Sequence, residues 1–156
     1  IRNRDLRDPR VARVWRQAAE LGLAIQMHFL PHHAPEIAAL CRRCPETTVL
    51  LDHMGRVGQG TQQDLDAVMA LSRFPRVHFK YSGWSYFQNP AIPVDSVVRR
   101  AHRAFGADRI LWGGLGMSAK AHAEAERLFA THWAFASEED RRKIRGGNAA
   151  RLFRFA

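Results

Sequence analysis

Cysteine is scarce in this chain, with Cys41 and Cys44 the only two, and that excludes a disulfide framework as its source of stability. A zinc finger is excluded too, because it needs a second cysteine pair or two histidines at suitable spacing. A thioredoxin-like motif would sit just before a helix, whereas Cys41 and Cys44 fall at the end of one; both thiols are expected to be small buried hydrophobes. Lysine is almost as rare, at Lys80, Lys120 and Lys143, so the formal charge of +9 rests on arginine. The arginines are dispersed over positions 2–16, 99–109 and 141–154 among Asp and Glu, with no DNA- or RNA-binding motif beside them, and no specific nucleic-acid partner is expected. No apolar run approaches the roughly 20 residues that cross a bilayer, and no signal peptide with a small-residue cleavage site is visible. A soluble, cytoplasmic protein with no membrane partner is the expectation. Low-complexity tracts, linkers and strong internal repeats are missing as well, which points to one domain, or part of one.

What is present is a repeated grammar. The 156 residues, 46% of them hydrophobic, are enough for one real core. Apolar spacing predicts a helix from Pro9 to Leu21, closed by Gly22, then a strand over 24–28 and a helix over 34–43 stopped by Pro45. A second strand is predicted over 47–52, a glycine-rich loop over 55–60, and a helix to about Ser72 capped by Thr61 and Asp64. A third strand over 77–82 leads through an aromatic loop to a helix over 94–105. A fourth over 108–112 precedes helices over 118–132 and 138–144, and Asn148 is expected to cap a last turn. Strand and helix alternate four times, with connections that fit parallel crossovers, so the fold class is α/β with a parallel sheet, open or closed into a barrel.

Chemistry in such folds collects at the carboxyl ends of the strands. Alternation places Gln26 and His28 on one face of the first strand, away from the helices; in the second it groups Val49, Leu51 and His53, and turns Asp52 toward the helices. In the third it groups His78, Lys80 and Ser82. Two histidines, a lysine and a serine thus converge at one rim, and His28 and His53 stand out because both end strands in successive units. Imidazole suits both metal ligation and proton transfer. The other histidines, at 32, 33, 78, 102, 122 and 132, are read as structural. Trp84, Tyr86 and Phe87 lie in a rim loop and are either an apolar substrate wall or ordinary loop anchors. Arg56, in the loop after His53, is placed to hold a carboxylate bidentately.

Five segments carry a family resemblance: Leu21 to His28, Val49 to Gly55, Phe79 to Gly83, Phe105 to Gly113 and Gly146 to Phe153. In this order they resemble the amidohydrolase-related family of the amidohydrolase superfamily, with its dicarboxylate lactonases, decarboxylases and hydratases. The resemblance implies the C-terminal half of a (β/α)8 TIM barrel, strands five to eight, with residues 1–156 as a single partial domain. It implies His28 as a metal ligand and His53 as a ligand or as the catalytic acid/base; Arg56, Trp84 and Tyr86 are candidates for the substrate by their position at the rim. The implied cofactor is a divalent metal, Zn or Mn, although some relatives are metal-free. The implied reaction is addition of water to a lactone, amide or related carboxylated small molecule, or decarboxylation.

Two departures from the family pattern bear on activity. No His-x-His strand stands upstream of His28, and Leu115 occupies the place of the aspartate that ends strand eight. Impaired hydrolysis is expected, with a non-catalytic half-barrel or interaction module as the alternative. Four parallel strands alone leave open edges, so a missing N-terminal half, or a homodimer, is the expected partner.

Overall fold

The computed structural model describes residues 5–114 and 118–153. Its helix α1, Pro9–Glu20, starts with proline at its first position and the Asp8 carboxylate accepting from the backbone N–H of Arg10 at 2.8 Å. Ala12, Trp15 and Ala18 form its buried stripe. Strand β1, Ala24–Met27, follows, then α2, Ala34–Arg43, and β2, Thr48–Leu51. The Thr47 hydroxyl donates to the Trp15 carbonyl at 2.9 Å and fastens α1 to the start of β2. Cys41 and Cys44 are buried and unlinked. Burial pushes the Cys41 thiol up to about 11, as expected of an inert core residue.

Helix α3, Gln62–Met69, opens on the reciprocal capping box of Thr61 and Asp64 that the sequence signals. Strand β3, Val77–Tyr81, helix α4, Val94–Phe105, and strand β4, Ile110–Trp112, complete the sheet. Helices α5, Ala119–His132, α6, Glu138–Arg142, and α7, Asn148–Phe153, follow. The strands are parallel in the order β1-β2-β3-β4, so β1 and β4 are its edges. Among the described residues no helix is long and apolar enough to cross a membrane.

Register corrects the sequence reading of β2. Gln26 pairs with Leu50 and Leu50 with His78, so these three share a face. Val49 and Leu51 lie on the other face, in the core with Val77, Phe79, Tyr81 and Ile110. Asp52 therefore continues the row of Gln26, Leu50 and His78 rather than turning toward the helices.

The amino ends of the strands are closed by two polar clamps. Arg109 Nη1 donates to the carbonyls of Ser72 at 2.9 Å and Phe74 at 3.0 Å, while its Nε donates to that of Phe105 at 3.1 Å. Asn148, buried, donates from Nδ2 to the carbonyls of Ala107 and Ile110 at 2.7 and 2.8 Å. Expected from sequence as a cap for its own turn, Asn148 instead ties α7 to the start of β4.

His78 is structural, with a buried Nδ1 that has no hydrogen-bond partner. Burial, reinforced by the positive charges of Arg109 and Arg151, pushes its pKa down from 6.5 to about 4. Between those values the unfolded chain binds a proton that the native chain does not, so stability falls as pH drops through that window. Urea denaturation at a series of pH values should show this slope in the wild type and a shallower one in His78→Leu. Asn148→Ala should cost about 2 kcal/mol at neutral pH, because it orphans two buried carbonyls.

Candidate functional site

Beyond Leu51 the chain enters a left-handed turn: His53, Met54, Gly55 and Arg56 have φ of 51°, 55°, 62° and 52°. Three of the four are not glycine, a conformation that costs roughly 1–2 kcal/mol per such residue. The turn drops Met54 and Val57 into the core, both fully buried, and delivers His53 and Arg56 to the carboxyl rim. This is why His53 reaches the rim although Leu51, two residues earlier, faces the helices.

At the centre of the rim is Asp52, whose side chain is 5% exposed. Its Oδ2 accepts from Gln26 Nε2 at 3.0 Å and lies 3.2 Å from His53 Nε2. Lys80 Nζ is 3.0 Å from Oδ1, an ion pair without the alignment of a hydrogen bond. On the other side of the ring, His53 Nδ1 is 2.9 Å from the buried Ser82 hydroxyl. The Asp52 carboxylate beside it electrostatically favours the proton on His53 Nε2, which leaves Nδ1 to accept from Ser82. Burial lowers the His53 pKa, opposed by the Asp52 charge and helped by Lys80, which keeps the imidazole neutral at neutral pH. Gly83, at φ +74°, closes the back of the ring: a Cβ there would lie 2.7 Å from that of His53.

His28, exposed, meets the His53 ring edge-on at 5.1 Å. Arg56 Nη1 donates to His28 Nε2 at 3.4 Å, and the guanidinium lies 4.5 Å over the Tyr86 ring. Tyr86 is in turn 5.3 Å from His53. Of the expected site residues, His28, His53, Arg56 and Tyr86 therefore meet. Trp84 does not join them; its ring packs 5.4 Å from Tyr81 against the core. Phe87 is a loop anchor, pressed so closely on Gly58 that a Cβ there would lie 2.6 Å from its Cα. Leu115 lies outside the described residues.

The sequence signature of the amidohydrolase family matches residues 2–155. The chain belongs to that family. Among solved structures, an amidohydrolase from Burkholderia multivorans with bound HEPES superposes with a TM-score of 0.82 at 20% identity, covering 97% of this chain and 60% of that one. The same enzyme with bound zinc gives a TM-score of 0.82 at 20% identity, covering 97% and 59%. A putative 2-pyrone-4,6-dicarboxylic acid hydrolase from Pseudomonas putida gives 0.75 at 21% identity, with 97% and 59% covered. The chain thus spans about 60% of the length of the Burkholderia enzyme, and its α/β architecture of four parallel strands fits a partial TIM barrel. No curated protein matches it by sequence.

For an amidohydrolase the question of a metal follows. Donor atoms of His28, Asp52 and His53 all lie within 4.8 Å of one another, a spacing a metal could bridge, and two nitrogens with a carboxylate are a donor set zinc accepts. As arranged, however, they do not fit a divalent ion. His53 Nδ1 is taken by Ser82, Arg56 holds His28 Nε2, and the Lys80 ammonium abuts the free oxygen of Asp52, placing positive charge among the donors.

The residues missed from sequence are Asp52 and Gln26. Only the pairing of Gln26 with Leu50, which sets Leu50 and Asp52 on the rim face, reveals both, and it leaves no mark in the sequence. The left-handed turn makes a direct prediction. Arg56→Gly and Arg56→Ala remove the same guanidinium, yet the glycine variant should be about 1 kcal/mol more stable in chemical denaturation. Equal stabilities would contradict the strained backbone.

Proposed function

We propose that this chain contributes a hydrolytic site of the amidohydrolase type, adding water to the carbonyl of a lactone, amide or related carboxylated small molecule. The observation that carries the reading is a buried imidazole held at both ends, by Asp52 and Ser82, next to a guanidinium at the same rim. His53 is the acid/base: once the Ser82 hydroxyl rotates off Nδ1, that nitrogen accepts the proton of the water whose oxygen bonds to the carbonyl carbon, then returns it to the leaving oxygen or nitrogen as that bond breaks. Asp52 stabilises the imidazolium in between. Arg56, kept flat by Tyr86, holds the substrate carboxylate. Decarboxylation of a related acid is the neighbouring reaction such a rim would support. The family reading of Zn or Mn at His28 draws on the zinc bound to the Burkholderia enzyme, and meets here the competing contacts of Lys80 and Arg56.

Completion of the barrel belongs to the same proposal. Of the five exposed large hydrophobic residues among those described, Val14, Leu21, Leu23 and Leu30 come from the segment around β1, an edge strand. Four further strands, the N-terminal half of a barrel, would cover them and both sheet edges; a second copy of the chain would do so against the mutual repulsion of two +9 charges. The uncovered edge also favours the second reading, a non-catalytic half-barrel that serves as an interaction module. Two unlinked buried thiols suit a cytoplasmic setting.

Assays on a panel of dicarboxylated lactones and amides test the reading. His53→Gln should reduce turnover by on the order of 10²–10⁴, and Arg56→Ala should mainly raise KM. Because the family resemblance puts Leu115 where an acidic base stands, Leu115→Asp should raise turnover above that of the wild type. A panel with no turnover in the wild type or in Leu115→Asp would favour the non-catalytic reading.

A further inference from the structure

The charges around Asp52 do not add up to a cation site. One carboxylate faces two fixed positive groups, Lys80 at 3.0 Å and Arg56 through His28. A divalent ion entering here would meet net positive charge beside the buried Asp52 carboxylate, where that repulsion is only partly screened. Lys80 is also given a path. Gly113, just past β4, leaves room for its stem, since a Cβ there would lie 2.5 Å from Lys80 Cε. The stem crosses from β3 over that gap, and the ammonium ends against the one Asp52 oxygen that no hydrogen bond occupies.

We propose that Lys80 is the resident cation of this cluster: its ammonium stands where a divalent ion would bind, and the His28–Asp52–His53 donors are held metal-free by it. Asp52 then keeps a counter-charge that cannot be lost to chelators, and the surplus positive charge of Arg56 remains for an anionic ligand. The assignment rests on reading this cluster as the site. Its test is independent of turnover, so that failure of one does not imply failure of the other.

The experiment is calorimetric titration of zinc chloride into metal-stripped full chain, with zinc content after dialysis as a second readout. Lys80→Met should bind one zinc per chain at least about tenfold more tightly than the wild type, because the competing charge is gone and the Asp52 oxygen is open. Lys80→Arg, which keeps the charge, should resemble the wild type, and adding His28→Ala to Lys80→Met should abolish the gain. Wild-type zinc binding as tight as that of Lys80→Met, and lost in His28→Ala, would overturn the proposal. Should Lys80→Met fail to fold, the wild type decides: micromolar or tighter zinc that depends on His28 overturns it, and no such binding supports it. Loss of hydrolysis with this zinc pattern intact would count against the hydrolase reading alone.

Discussion

The rim depends on how one buried carboxylate is satisfied. Removing an unpaired charge from water costs several kcal/mol, so Asp52 at 5% exposure is tolerable only with partners. Those partners come from different strands: Gln26 from β1, Lys80 from β3, and His53 from the turn that leaves β2. One side chain therefore fixes the carboxyl ends of three neighbouring strands relative to each other. It also favours one tautomer of His53, because a carboxylate 3.2 Å from Nε2 attracts the proton there and leaves Nδ1 to Ser82. Orientation and protonation of the imidazole are thus consequences of a single electrostatic requirement.

The second constraint is mechanical. A left-handed turn through His53, Met54, Gly55 and Arg56 is unfavourable for three of its four residues. Burial of Met54 and Val57 beneath it, at roughly 1.5–3 kcal/mol for each large apolar side chain, offsets that cost. The result holds the imidazole and the guanidinium on the rim with their neighbours pinned in the core. Stability is anchored at the opposite end of the sheet, where Arg109 and Asn148 saturate carbonyls from several segments. Chemistry at the carboxyl ends and clamps at the amino ends is the division of labour expected of parallel α/β barrels.

Much of this was legible in the sequence. Helix α2 over 34–43, stopped by Pro45, and α4 over 94–105 match the sequence reading, and the Thr61–Asp64 capping box was readable as written. The shared rim face of His28, Lys80 and Ser82 followed from strand order and alternation, whereas His53 reaches it only through the left-handed turn. Asp52 was not legible, because Val49, Leu50 and Leu51 are apolar on both faces of a buried strand and give alternation nothing to distinguish. The left-handed turn left one glycine as its trace. Trp84 and Tyr86, two residues apart in one aromatic loop, differ in destination because of long-range contacts with Tyr81 on one side and with His53 and Arg56 on the other.

The central claim is that Asp52 and Lys80 act as one unit. A double-mutant cycle with Asp52→Asn, Lys80→Met and the combined variant, read by urea denaturation at pH 7, measures this most directly. The account predicts that the two losses are not additive, with a coupling above about 1 kcal/mol, since each single change leaves the other charge, buried in Asp52 and half-buried in Lys80, without its partner. Additive effects, with coupling near zero, would contradict it.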